Sequence, residues 1–404
     1  MSDEFEMRSH LSRRDLLRAG VVGIGASALG PLLSAPLQAA TADRILVVVE
    51  LSGGNDGLNT VVPYGDDAYY RHRPNLGIRP EKLRKIDEHF GWSEGMAGFE
   101  RLYQDGHLAI VHGCGYARPS FSHFQSMAYW HTAAPGSGDE YGWVGRLADA
   151  VHPQGGSDYL VNIDSTQSLA VRSRRHTPLV FDDPERFSRL GAFSGRELLN
   201  YVPEGASANA SRAFLQEVAR GARDSATRVR EAWRRYDTPV DYGLAPLDLP
   251  KVAALIAAGM PTRLYYTAFR NNAFDTHVHQ GNLHARLLTY ASDAIAGFIR
   301  DLERIGRASD VAVLIFSEFG RRVPENTSLG TDHGAAGLMF VAGHGVRGGH
   351  HGAVPSLTEL DEGDNLIFTT DFRRVYASVI QGWLGHPATR EVLKGEFEPL
   401  ALFA

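Results

Sequence analysis

The stretch Ile45-Leu-Val-Val-Val-Glu-Leu-Ser-Gly-Gly-Asn-Asp-Gly57 constrains the fold more than any other part of the chain. Ile45 to Val49 is an unbroken apolar run, rich in β-branched residues. Without polar alternation it reads as a strand buried on both faces, the kind that parallel sheets contain. The run ends in a turn-forming cluster, Ser52 to Gly57. Open α/β sheets bind ligands beyond the carboxyl ends of their strands. Asp56 therefore stands where a metal ligand or a catalytic carboxylate would be placed. Asn55-Asp56-Gly57 also suits a tight turn for purely local reasons, so later parts of the chain have to decide.

They repeat the pattern. His107 to His112, Thr262 to Phe269 and Val311 to Phe316 are further buried strands, each ending near glycine, an acid or histidine. Helical spacing is present over Trp92–Gln104, Ser122–Trp130, Ser207–Tyr236, Leu249–Met260, Asn282–Arg304 and Asp371–Trp383. Strands alternating with helices predict a doubly wound, mostly parallel sheet sandwiched between helices. The short apolar pieces between residues 159 and 181 read as strands or a small subsheet. Gly65 to Arg73 reads as an ordered loop, and residues 184–260 as a partly helical insertion.

Several candidate groups fall after the strands. Asp275, His277 and His279 lie within five residues, and carboxylate with imidazole is a ligand set for zinc. An extended segment turns both histidines to one side, whereas a helical turn pairs Asp275 with His279. His284 is expected on the surface of the helix that follows. Ser122 and Gln125 resemble a capping box, and Ser120 also precedes that helix. A serine at a helix N-terminus has free N–H groups and the positive end of the dipole beside it. Glu318 and Arg321 follow the fourth strand, and His333 lies in a Gly-rich turn. His344, His350 and His351 read as loop residues. Cys114, the single cysteine, reads as packing and excludes an internal disulfide.

The formal net charge of -6 and the lack of a basic stripe exclude a nucleic-acid binder of the usual kind. Ser12-Arg13-Arg14 precedes an uncharged stretch, Ala19 to Ala42, broken by glycines and prolines. It reads as a twin-arginine export signal, residues 1–42, cleaved after Ala40-Thr41-Ala42, and no stable membrane span is expected after cleavage. The translocation machinery would be a partner, the mature residues 43–404 one α/β domain, and the destination the periplasm.

Leu51-Ser-Gly-Gly-Asn-Asp-Gly-Leu-Asn, Ser122-His-Phe, Ser317-Glu-Phe-Gly-Arg and Gly330-Thr-Asp-His-Gly resemble an exported bacterial family carrying a domain-of-unknown-function label. That family is similar to the sulfatases and the alkaline phosphatase superfamily. The resemblance implies an alkaline-phosphatase-like sandwich with divalent metal at the strand ends, zinc first and Ca, Mg or Mn as alternatives. It implies that Asp56 ligates one metal, that Asp275, His279 and His333 ligate the other, and that Ser122 or Ser120 is the nucleophile. Glu318 takes a metal-ligand position, but Phe319 stands where the superfamily has histidine. Arg321 or Arg118 is the candidate to hold anionic oxygens. Cys114 and Arg118 have a sulfatase-like separation, but Tyr116 interrupts that signature. Two functions are implied: a metal-dependent hydrolase of phosphate or sulfate esters, or a catalytically inactive exported binding or assembly protein. A barrel amidohydrolase built on His277 and His279 is disfavoured, because the motif comes late in the chain.

Overall fold

The computed structural model describes residues 43–187, 210–387 and 389–404. The signal-like segment and residues 188–209 of the expected insertion lie outside them. Nine strands form the main sheet. They are β1 (Ile45–Leu51), β2 (Leu108–Gly115), β3 (Leu160–Ile163), β4 (Leu179–Phe181), β5 (Leu264–Phe269), β6 (Val311–Phe316), β7 (Gly337–Ala342), β8 (Gly349–His351) and β9 (Thr370–Asp371). Their order is β8-β2-β7-β6-β1-β5-β3-β4, with β9 on β2. β7 runs antiparallel to both its neighbours, and every other pairing is parallel.

β1 lies at the centre of this order, between β5 and β6, and is buried along its whole length. Its side chains alternate between two cores. Val47 and Val49 join the core that includes Ile295 and Phe298, whereas Leu46 and Val48 join the one that includes Trp143 and Tyr376. That explains the unbroken apolar run: both faces are covered, so neither can be polar. Among the helices are α1 (Asp67–His72), α2 (Ala97–Gln104), α3 (His123–Thr132), α4 (Trp143–Val151), α5 (Ala210–Arg235), α6 (Leu249–Ala257), α7 (Gln280–Arg304) and α8 (Phe372–Ala377). The backbone continues from α8 through a π-helical turn, Ser378–Trp383.

Three local expectations need correction. The segment Gly65–Arg73 contains a helix, because Asp66 caps it by accepting from the Ala68 N–H at 2.8 Å. His284 is buried, 2% exposed, because it lies on the face of α7 that carries Gln280, Leu287 and Leu288 inward. His350 and His351 belong to β8, where register pairing with β2 orders them.

The carboxyl ends of β1, β5 and β6 are neighbours. β7 runs the other way, so the segment before it, Gly330–Ala336, arrives at the same edge. Beyond β2 the chain reaches α3 from that edge too. Five sequence segments therefore meet in one place.

Candidate metal centre

The turn after β1 has to let the others in. Gly53 has φ +117°, and a Cβ there would lie 2.5 Å from the Asp275 nitrogen. Gly330 sits against the His277 carbonyl, where a Cβ would approach to 2.1 Å. Glycine is required at both positions by close backbone approach. Glu318 then fixes the turn. Its buried carboxylate accepts from the Gly53 N–H at 2.9 and 3.0 Å and from the Gly54 N–H at 3.1 Å.

Arg321 ties the loops together from below. It is 1% exposed. Nε donates to the Gly54 carbonyl at 2.7 Å, and Nη1 donates to the Thr331 carbonyl at 2.9 Å. Nη2 donates to the carbonyls of Gly53 and Phe274 and to Asp275 Oδ1, at 2.5, 3.0 and 2.9 Å. Its donors are directed at protein acceptors, so Arg321 is placed as a clamp on the β1, β5 and β7 approaches.

Asp275 is the focus of what these loops present. Oδ1 lies 2.9 Å from His277 Nε2 and 3.0 Å from His333 Nε2, and the two ring nitrogens are 3.0 Å apart. Oδ2 lies 3.2 Å from His123 Nε2. His123 Nδ1 is 2.8 Å from Glu318 Oε1. Burial pushes the Asp275 carboxyl up, but hydrogen bonding to His333 and Arg321 outweighs it and holds the group at about 2. His123 is raised, first by its bond to Glu318 and against burial. Burial lowers His333, with Asp275 opposing.

These rings have too few protons for their neighbours. A neutral imidazole has one N–H. His333 Nδ1 is 2.7 Å from the Phe121 carbonyl, which can only accept. His277 Nδ1 is 3.4 Å from Asp332 Oδ1. With the proton on each Nδ1 instead, His333 gives up its bond to Asp275, and both Nε2 lone pairs face Asp275 Oδ1 and each other. Metal-binding histidines show this arrangement, with the far N–H given to a carbonyl or a carboxylate. His123, Asp275 and His333 also form a group of three ligand-type side chains, with ligand atoms within 4.8 Å of one another.

The remaining sequence candidates sit elsewhere. Asp56 is 1% exposed and takes Arg73 Nη1 at 2.7 Å and Gln280 Nε2 at 2.5 Å. Burial would raise its carboxyl, but Arg73 and other partners bring it down. His279 is exposed in a left-handed conformation before α7, so of the two geometries open to this segment the Asp275–His279 helical turn does not form. His277 turns inward instead. Ser122 is the exposed N-cap of α3 and makes no capping bond with its side chain. Ser120 Oγ donates to Gln125 Oε1 at 2.9 Å, taking the partner expected for Ser122. Phe319 packs against His123 and His333, with ring centroids 5.0 and 4.4 Å away. His123 and Arg73 were not singled out from sequence. The signal for His123 was its place beside Ser122, whereas Arg73 had none.

Residues 252–366 match the family described as "Protein of unknown function (DUF1501)". The matched span contains Asp275, His277, Glu318, Arg321 and His333 and stops short of Asp56 and His123 on the N-terminal side. Similar solved structures include the C-terminal periplasmic domain of EcEptC from Escherichia coli in complex with Zn. It has 12% identity and a TM-score of 0.34, over 74% of this chain and 73% of that one. The PsFucS1 sulfatase from Pseudoalteromonas sp. has 12% identity and a TM-score of 0.37, over 87% and 70%. Ps i-CgsB in complex with k-i-k-neocarrahexaose has 9% identity and a TM-score of 0.39, over 88% and 75%. No curated protein matches the chain.

Proposed function

We propose that the chain is an exported hydrolase of phosphate or sulfate esters that works with one divalent metal. The observation that carries this reading is the convergence of Asp275 Oδ1, His277 Nε2 and His333 Nε2, at 2.9 to 3.0 Å, on rings whose Nδ1 atoms have acceptors of their own. The donor set fits a zinc-like ion: two imidazoles and a carboxylate suit zinc, whereas Ca and Mg prefer oxygen alone. Ligand atoms about 2.0–2.1 Å from a tetrahedral zinc lie roughly 3.3 Å apart, so the three need only a small spreading. A bound ion of this kind polarises an ester oxygen and lowers the pKa of a nearby hydroxyl or water.

The chain's own residues then have separate tasks. Ser122 presents its hydroxyl at the N-terminus of α3, where the helix dipole favours an anion. Attack by Ser122 Oγ on phosphorus or sulfur forms a serine ester and releases the alcohol. Water then cleaves that ester, restoring the hydroxyl and freeing phosphate or sulfate. His123, held between Glu318 and Asp275, sets positive charge beside the reacting group. Arg321 keeps the three loops in register and leaves anion binding to others.

A second metal has weak support. Asp56 already has Arg73 as its counter-ion, Glu318 is occupied by backbone N–H groups and His123, and Phe319 supplies no ligand. A binding protein without turnover is the second reading. It is favoured by Arg321, whose bond to Asp275 gives the carboxylate a partner without any metal. The twin-arginine route is part of the proposal. Arg13→Lys with Arg14→Lys is expected to leave the precursor in the cytoplasm, as cell fractionation will show.

The test is elemental mass spectrometry on exported protein, together with turnover of a panel of phosphate and sulfate esters. One equivalent of metal and measurable turnover, both lost in Asp275→Ala and His333→Ala, are expected. Folded wild-type protein without metal overturns the hydrolase reading in favour of the binding one.

A further inference from the structure

The rim of the proposed metal site carries an unusual share of exposed apolar side chains. Among the described residues, nine large hydrophobic side chains are exposed, and five of them lie on the segments that wall this site. Phe121 is 39% exposed and Phe124 is 89% exposed. They flank Ser122 and His123, and the Phe121 carbonyl is the acceptor for His333 Nδ1. Val278, 58% exposed, follows His277 directly. Leu283, 46% exposed, lies on the first turn of α7. Leu329, 38% exposed, lies in the turn whose carbonyls accept from the N–H groups of His279 and Gln280.

A scattered exposed leucine needs no explanation, but a cluster around a polar site does. Leu329 sharpens the point. Its φ of +56° is a conformation that glycine or asparagine adopts more easily, and its side chain faces solvent as well. Neither folding nor solubility favours leucine there. Strain of this kind, held by surrounding structure, is a motive for seeking a ligand.

We propose that Phe121, Phe124, Val278, Leu283 and Leu329 seat the apolar part of the substrate. The site then takes an anionic ester or acid whose organic group is alkyl or aryl, in preference to one built on a polyol or a sugar. This rests on the hydrolase reading only for the word substrate, because recognition of an apolar anion is measurable without turnover. Catalytic groups are not part of the seat: the anion meets the His123–Asp275–His333 side, and the organic group lies across the rim.

The experiment is isothermal titration of the full mature chain, with its metal, against methyl-, butyl- and hexylphosphonate, phenylphosphonate and the polar control glycerol phosphate. Affinity is expected to rise roughly two- to fourfold for each added methylene, up to the length the rim can cover. Phe124→Ser with Leu329→Asn should flatten that rise and leave methylphosphonate binding unchanged. A steeper gain for phenyl than for alkyl groups marks an aryl ester as the source, and a gain that grows to hexyl marks an alkyl one. Equal affinity across the series, or preference for glycerol phosphate, overturns the proposal. So does binding to phosphatidylglycerol vesicles without chain-length dependence, which makes the rim a membrane contact. Chain-length-dependent binding without turnover of any ester leaves the seat standing and removes the hydrolase reading instead.

Discussion

Asp56 and Asp275 follow neighbouring parallel strands and begin with similar prospects as ligands, yet the fold treats them differently. Asp56 is sealed, 1% exposed, with an arginine as its permanent counter-ion. Asp275 also touches an arginine, but its side chain is 29% exposed and three imidazoles approach it. The lesson is that a carboxylate at a strand end becomes a candidate ligand through its exposure and through the imidazoles that approach it. Arg73 also donates to Asn59 and to the carbonyls of Val323 and Arg322, so the protein itself satisfies Asp56 Oδ2, while the buried Oδ1 has no hydrogen-bond partner among the described residues. At Asp275 one neighbour is the Arg321 guanidinium, at 2.9 Å, and the others are imidazoles, whose free lone pairs a cation from outside would complete.

The strongest way to break this contrast is to remove the internal cation. Arg73→Met leaves Asp56 buried and unpaired, and should destabilise the protein by about 3–5 kcal/mol. Urea unfolding at neutral pH measures this. The double variant Asp56→Asn, Arg73→Met should recover much of the loss, because no buried charge remains. Asp275→Asn, at a partly solvated position, should change stability far less. Equal costs for Arg73→Met and Asp275→Asn would show that the two sites are energetically alike.

Acid separates the regions next. His284 lies in the Asp56 pocket, with Nε2 2.9 Å from Asn55 Oδ1. Burial lowers it to about 4, against the pull of Asp56. The folded state therefore binds this proton less readily than the unfolded chain, whose histidines titrate near ~6.5. Its contribution to stability is whole above that pH and is lost as pH falls towards 4, at up to about 1.4 kcal/mol per pH unit and about 3 kcal/mol in all. His284→Asn should flatten this part of a melting-temperature profile. Asp275 acts in a lower window. With a folded value of about 2, its contribution is present above the unfolded value near ~3.9 and is lost as pH falls through 2.

Metal sharpens the comparison at a similar scale. Zinc at a hundredfold its Kd should stabilise the wild type by about 2.7 kcal/mol, and Asp275→Ala by almost nothing. Asp56→Ala, if it folds, should keep its one equivalent. Calorimetry with and without chelator reads both. Loss of metal from Asp56→Ala would return Asp56 to the ligand set that the family resemblance implies.

The four principal strands were legible because burial on two faces forces a long apolar run, and β1, β2, β5 and β6 each carry one. Short edge elements left weaker marks. The direction of β7 could not be read, since Leu338 to Val341 looks the same in either sense. The site was half legible. Asp275, Glu318 and His333 stood out as polar groups after strands, but their partners depended on backbone geometry. The choice between His277 and His279 turns on whether residues 275–279 are extended or helical, and the left-handed His279, φ +44°, decides it. Arg73 was hidden because a buried arginine and a surface one look the same in sequence. Ser122 and Gln125 matched a capping box, yet the bond formed from Ser120, which competes locally for the same amide.

That exchange of partners gives the smallest effect on stability and the clearest separation of roles. Ser122 is exposed and makes no capping bond, so Ser122→Ala should change unfolding free energy by less than about 0.5 kcal/mol. Ser120 has a bond to Gln125 and also accepts from the Ser122 N–H at 3.3 Å, so Ser120→Ala should cost up to about 1 kcal/mol. Activity should rank the other way. Ser122→Ala should cut ester turnover by at least about a thousandfold with metal still bound, whereas Ser120→Ala should keep most of it. Steady-state kinetics beside metal content makes the distinction, because a lost nucleophile removes kcat and leaves the ion in place. Should Ser120→Ala prove the inactive variant, its bond to Gln125 becomes a resting position that substrate must displace. Turnover unchanged in both would remove serine chemistry and leave a bound water as the attacking group on the Asp275 side.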